Sequence, residues 1–333
     1  MSVDQTISTF YLVPENIAKN TEAISEFTFS HRIVGWMQNM GRNMTRIVND
    51  KRLQDLQEEM VRRHKGHSAI VIGGGPSLEK YEHLKMLAKS GYNGAVFTCD
   101  KNLVSCLKAG IIPDLVCTVD GAPIVANFYK DPIIKECYGK TKAAFCVQTV
   151  HPDVLARWGG ETYWFVAIWD DPYKDPQTQQ INPKSLTLTF HLMSGDKTIL
   201  QTAGNVGTTL WNIAHYFQLN PICLVGFDMG YLRSSKVKDT PYYDTFHDML
   251  KIQNKLSAEA LARCYRRDYN PAFKNHSTTD LIFESYAAAT KHFIALAKQM
   301  HGTDTINATG GGTLHGSMVE SMSFQQFLEK YKQ

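Results

Sequence analysis

The chain has no C-x-x-C pair and no apolar stretch near the ~18 residues a membrane span requires, and neither sign of charge dominates it. Seven cysteines, an odd number scattered at 99, 106, 117, 137, 146, 223 and 264, exclude a disulfide framework and read as buried thiols in a reducing compartment. The 35 basic and 32 acidic residues nearly cancel, which argues against a nucleic-acid footprint. The densest basic runs, Arg62-Arg63-His64-Lys65 and Arg263 to Arg267, read as solvated helix faces. No tract is dominated by Pro, Ser or one charge, so a disordered chain is not expected. The start carries acids and Pro14 where a signal peptide would carry a basic run and an apolar core, so a cytoplasmic protein is expected.

What is present is enough chain, 333 residues with 43% hydrophobic, for one large domain with additions or for two domains. Three segments differ in pattern. Residues 1–66 read as amphipathic helices, with Ile33, Trp36, Met37, Met40, Met44 and Ile47 at three- and four-residue steps. Residues 67–230 alternate helical stretches with short apolar runs: 69–72, 95–98, 115–119, 143–147, 163–168 and 222–225. These runs are continuous rather than alternating, as in strands buried on both faces, and predict a Rossmann-like, mostly parallel α/β sheet with helices on both sides. Residues 231–333 read as a helical segment that completes the active site, with long helices over 245–268 and 281–300 and a turn-rich stretch from Asn307 to Gly316.

Chemistry concentrates where the predicted strands end. Gly73-Gly74-Gly75-Pro76-Ser77-Leu78 follows one strand and opens a helix. Glycines let backbone approach a phosphate, and the N–H groups of a helix start attract anions. No Lys-Ser/Thr pair follows, so the run is not a Walker loop. Ligands of open parallel sheets collect outside the carboxyl ends of the strands. That rule brings Asp100, Asn102 and Asp120 toward the glycine run, with Asp120 as a ligand for a metal or a ribose hydroxyl. Gly204 and Asn205, in a second small-residue turn, supply further donors for phosphate or carboxylate, and Asp228 ends the last apolar run. His151 and His247 are the candidates for a general base, and Tyr242 and Tyr243 for donors to a leaving phosphate.

The order Gly-Pro-Ser-Leu, Asp100 with Asn102, Pro113-Asp114 to Asp120, Gly204 to Thr209, Leu224 to Asp228 and Ile306-Asn307-Ala308-Thr309 resembles a known family over residues 67–330. That family joins motility-associated factor (Maf) glycosyltransferases to MptE-like 6-hydroxymethylpterin diphosphokinases. The Maf branch implies a sialyltransferase-like fold and transfer of a nonulosonic acid from a CMP-activated donor to a hydroxyl of a protein or glycan acceptor. The other branch implies diphosphate transfer from ATP, with magnesium, to a pterin alcohol. Thr118 stands where the diphosphokinase pattern has an additional Asp, which favours the Maf branch. Thr202-Ala203 stands where Maf sequences often carry a His. A nucleotide-binding module without turnover is the third reading.

Overall fold

The computed structural model describes residues 15–64, 67–175, 180–316 and 318–332. The chain opens with helix α1 (Glu15–Asn49), a two-residue strand β1 (Lys51–Arg52) and helix α2 (Leu53–His64). Each apolar run of the middle segment is then a strand. In order come β2 (Ala69–Ile72), α3 (Ser77–Lys80), α4 (His83–Ser90), β3 (Ala95–Cys99), α5 (Asp100–Lys108) and β4 (Leu115–Thr118). Two 3-10 helices, Pro123–Tyr129 and Pro132–Cys137, lead to β5 (Lys142–Cys146), α6 (Pro152–Arg157) and β6 (Thr162–Ala167). The strand pair β7 (Tyr173–Asp175) and β8 (Gln180–Ile181) precedes α7 (Leu186–Met193), β9 (Thr198–Leu200), α8 (Val206–Tyr216) and β10 (Ile222–Val225).

The last hundred residues hold more strand than the sequence predicts. They form β11 (Tyr231–Leu232), α9 (Tyr243–Ile252), α10 (Ala258–Ala262), β12 (Tyr265–Asn270), β13 (Asn275–Asp280), α11 (Leu281–His301), β14 (Thr305–Asn307), β15 (Glu320–Ser321) and α12 (Phe324–Lys330). The single helix expected over 245–268 is corrected to two short helices and a strand. Asn254 adopts a left-handed φ of 54°, and Ser257 starts a new helix by accepting from the Ala260 amide. Tyr265–Asn270 then pairs antiparallel with Asn275–Asp280, from Tyr265 opposite Asp280 to Asn270 opposite Asn275.

The main sheet runs β1-β6-β5-β4-β3-β2-β10-β14-β15, and β9 lies beside β6 as its tenth strand. Its pairings are all parallel. It draws β1 from the segment before residue 67 and β14 and β15 from the segment after 230. Alternate side chains of β2 serve two cores, which is why the run is continuous. Ala69 and Val71 share a cluster with Phe97, Leu210, Trp211 and Ile213 of β3 and α8, and Met40 and Ile47 of α1 join that cluster. Ile70 and Ile72 share the opposite cluster with Val225, Ile306, Leu87 of α4 and Phe324 and Phe327 of α12. All seven cysteines are free and buried, and among the described residues no helix is long and apolar enough to cross a membrane.

Candidate functional site

The sheet reverses its order between β2 and β10: β3 and β4 follow on one side of β2, while β14 lies beyond β10. In open parallel sheets such a switch point is where ligands collect, outside the carboxyl ends of the strands. The glycine run is fitted tightly to the turn after β10. The amide of Gly73 donates to Val225 O at 2.8 Å and that of Gly75 to Gly226 O at 2.8 Å. A Cβ on Gly73 would stand 2.6 Å from Gly226 O, and one on Gly75 only 1.9 Å from Asp228 Oδ2. Gly74, by contrast, is the exposed tip of the loop, with Lys101 Cδ at 3.5 Å as the nearest atom to a Cβ there. Asp228 is buried and accepts from Ser77 Oγ at 2.7 Å and from the Ser77 amide at 3.3 Å, so its carboxylate caps the helix that Pro76 begins. Burial raises its pKa to about 6, against the opposing pull of those Ser77 bonds.

The first turn of α5 braces the same loop. Asn102 Nδ2 donates to Gly73 O at 2.6 Å. Asp100 turns inward: the Thr118 hydroxyl is near enough to draw its pKa down, and its Oδ1 accepts from the Lys101 amide at 2.7 Å. Burial pushes its pKa up to about 7, and the neighbouring charge of Asp120 adds to the shift. Asp120 is exposed at the end of β4, with Oδ1 accepting from the Ala122 amide at 2.9 Å. The loops after β4 and β5 are fixed from above by α1, where Asn39 Nδ2 donates to Gly121 O at 3.1 Å and Thr149 O at 2.8 Å, and Asn43 Nδ2 to Val150 O at 2.8 Å.

Thr118 is fully buried, and its hydroxyl lies 2.7 Å from Tyr129 OH as well as against Asp100. It anchors Asp100 rather than opening onto solvent. Thr118→Asp is therefore expected to destabilise the protein by ~3 kcal/mol, because a second carboxylate would be buried beside the first without a cation. Urea denaturation reads this directly, and a midpoint equal to that of wild type would show the position to be less enclosed than its burial implies.

The turn before α8 supplies the far wall. Ala203 and Gly204 both take left-handed φ values, 48° and 75°, and Asn205 caps α8 by accepting from the Thr208 amide at 2.9 Å. Tyr286 of α11 lies over this turn, with its Cε1 3.1 Å from where a Gly204 Cβ would stand. Tyr242 lies near enough to Tyr286 for each hydroxyl to shift the titration of the other. Burial raises the Tyr286 hydroxyl to about 12, and Asp120 is among the charges it feels. Tyr243 starts α9 and stacks on His247 at 6.4 Å between ring centroids. Among the described residues, the hydrogen bonds of His151 and His247 stay local: His151 accepts from the Asp153 amide, and His247 pairs with Asp248. The structure thus gathers Gly73, Gly75, Ser77, Asp100, Asn102 and Asp228 around one loop, with Asp120 beside Asp100, and joins Gly204 to Tyr242 through Tyr286. Sequence reasoning missed Tyr286, which is one aromatic among many on a helix. It also missed Asn39 and Asn43, whose only signal is a polar pair four residues apart inside an apolar stripe.

Magnesium takes one or two protein carboxylates and completes its shell with substrate phosphates and water. Asp120, exposed at the end of β4, is the carboxylate open to such an ion, while Asp100 is turned inward. Among the described residues no group of three His, Cys, Asp or Glu side chains is placed to hold an ion without such a substrate.

A family model described as 6-hydroxymethylpterin diphosphokinase MptE-like matches residues 38–234, more than half of the chain. The chain belongs to the MptE-like family. Its matched region contains the glycine loop, the three strand ends that carry Asp100, Asp120 and Asp228, and the turn before α8. Among solved structures, the MAf glycosyltransferase from Magnetospirillum magneticum AMB-1 is similar, with a TM-score of 0.55 at 16% identity over 92% of this chain. This chain spans 42% of that longer one, and the likeness is one of fold. Comparison with curated proteins gives no match.

Proposed function

We propose that this MptE-like protein transfers a nonulosonic, sialic-acid-like sugar from a CMP-activated donor to a hydroxyl of a protein or glycan acceptor. The observation that carries this reading is the carboxyl arrangement at β3 and β4. Thr118 occupies the place of a third acid, and burial behind it raises the pKa of Asp100 to about 7, against the opposing pull of the Thr118 hydroxyl. A carboxyl with that pKa is suited to take a proton at neutral pH, and a pair of carboxylates without a third is a weak cage for several metal ions. In the proposed step the acceptor oxygen bonds to the anomeric carbon as the bond from that carbon to the phosphate oxygen breaks. The acceptor proton passes to Asp100 by way of the exposed Asp120 beside it, and CMP leaves with the bonding pair. Asp120 orients the sugar or ribose, and the exposed glycine tip at Gly74 and the helix start at Asn205 face the phosphate and the donor carboxylate.

The description of the matching family favours a second reading, diphosphate transfer from ATP to a pterin alcohol, in which Asp120 would hold magnesium. Calorimetric titration separates the two. The expected result is binding of CMP that survives EDTA, together with release of CMP from a CMP-sugar in the presence of an acceptor. ATP binding that requires magnesium, with no affinity for CMP, would sink the sugar-transfer reading. Binding without any turnover would leave a nucleotide-binding module.

A further inference from the structure

We propose that Lys101 is the cation that binds the ligand's phosphate at the glycine loop. The assignment rests on that loop being the phosphate end of the site, as in the reading above. Three consecutive residues in the first turn of α5 point about 100° apart and have separate tasks. Asp100 turns inward to Thr118, and Asn102 reaches Gly73 O. Lys101 turns outward and runs along the loop, its Nζ 3.4 Å from Gly74 O and its Cδ 3.5 Å from the position of a Gly74 Cβ. The ammonium therefore lies over the exposed tip, where a phosphate approaching the loop must pass.

Charge makes a cation necessary there. The helix start behind Pro76 already has a carboxylate on it, since Asp228 accepts from the amide and hydroxyl of Ser77. A phosphate brought to this turn meets that negative charge in a partly desolvated setting, where like charges repel far more strongly than in water. Lys80, the next lysine on this connection, acts on the Asp228 carboxylate itself, lowering its pKa, with its ammonium 4.8 Å from the centre of the Tyr81 ring. Lys101 is exposed, and its long bond to a neutral carbonyl is easily exchanged for a charge-assisted bond to phosphate.

Lys101→Met keeps the aliphatic stem beside Gly74 and removes the charge, while Lys101→Arg keeps the charge. With binding measured by calorimetry, Lys101→Met should weaken CMP about 10- to 100-fold and leave cytidine unaffected, and Lys101→Arg should retain most of the CMP affinity. Raising KCl from about 50 to about 300 mM should weaken CMP binding more in wild type than in Lys101→Met. If wild type binds ATP and not CMP, the same loss in Lys101→Met, read against adenosine, supports the lysine assignment while the sugar-transfer reading fails. Undiminished binding of the phosphate-bearing ligand by Lys101→Met overturns the assignment, as does failure of the wild type to bind CMP, ATP or inorganic pyrophosphate.

Discussion

Asp100→Asn is expected to lower turnover at least ~100-fold and, at pH 8, to make the protein more stable than wild type. The first effect follows from the proposed proton transfer, because an amide cannot accept the acceptor's proton. The second follows from linkage. The pKa of Asp100 in the folded protein, about 7, lies above the ordinary carboxylate value of 3.8, so its contribution to stability is fully present below about pH 4 and is lost as pH rises through about 7. At pH 8 the wild type holds a charged carboxylate that is only 7% exposed. Asn keeps an acceptor for the Lys101 amide without that charge. A rise of roughly three units corresponds to at most ~4 kcal/mol, and relaxation around the charge reduces it to something on the order of 2 kcal/mol. Urea denaturation at pH 5 and pH 8 should show a steeper loss in wild type than in Asp100→Asn. Asp228 contributes with the same sign in a window ending near pH 6. His83 and His215, both depressed to about 4 by burial, act oppositely and lose stability as pH falls from 6.5 toward 4. They are common to both proteins, so the difference between them isolates Asp100. An active Asp100→Asn protein that is less stable than wild type at pH 8 would remove both the catalytic and the electrostatic account.

The parts of this molecule that were legible in its sequence are those where a local pattern has one physical meaning. A four- or five-residue run such as Ala69–Ile72 or Ala143–Cys146 has no polar face, so only a strand covered on both sides can bury it. Six such runs alternating with helices leave little besides a parallel sheet. The same topology places Asp100, Asp120 and Asp228 at one end, since the acids follow the strands directly. Legibility ends where long-range pairing decides. β1, β9, β14 and β15 are two or three residues long and are strands only because a neighbour supplies the ladder. Tyr265–Asn270 and Asn275–Asp280 are polar, and their hairpin is organised by what it clamps: Asn270 Nδ2 donates to Gly312 O at 2.9 Å and Asn275 Nδ2 to Gly310 O at 2.7 Å. Thr118 illustrates the limit at one side chain. Its identity could be compared with a family pattern, but its direction, inward to Tyr129 and Asp100, depends on a 3-10 helix that brings Tyr129 back under β4.

Two neighbouring glycines should respond in opposite ways to substitution. In Gly75→Ala the new methyl carbon would lie 1.9 Å from Asp228 Oδ2 and 2.6 Å from Gly226 O. Either the carboxylate leaves Ser77 and the helix loses its cap, or the ends of β2 and β10 separate and the Gly75 amide loses its bond to Gly226 O. Each route breaks interactions in a buried, close-packed joint, so a loss of at least ~3 kcal/mol is expected. Gly74→Val meets nothing closer to its Cβ than Lys101 Cδ at 3.5 Å, so it should fold with a thermal midpoint near that of wild type. Its branched side chain nevertheless occupies the exposed tip, the most accessible part of the loop, and nucleotide binding should be abolished. The pair is decisive because stability and binding are read separately, by thermal denaturation and by calorimetry. A folded Gly74→Val protein that binds nucleotide as tightly as wild type would mean that the glycine run is a joint between β2 and β10, and that the phosphate site lies at another strand end, beginning with Gly204 and Asn205.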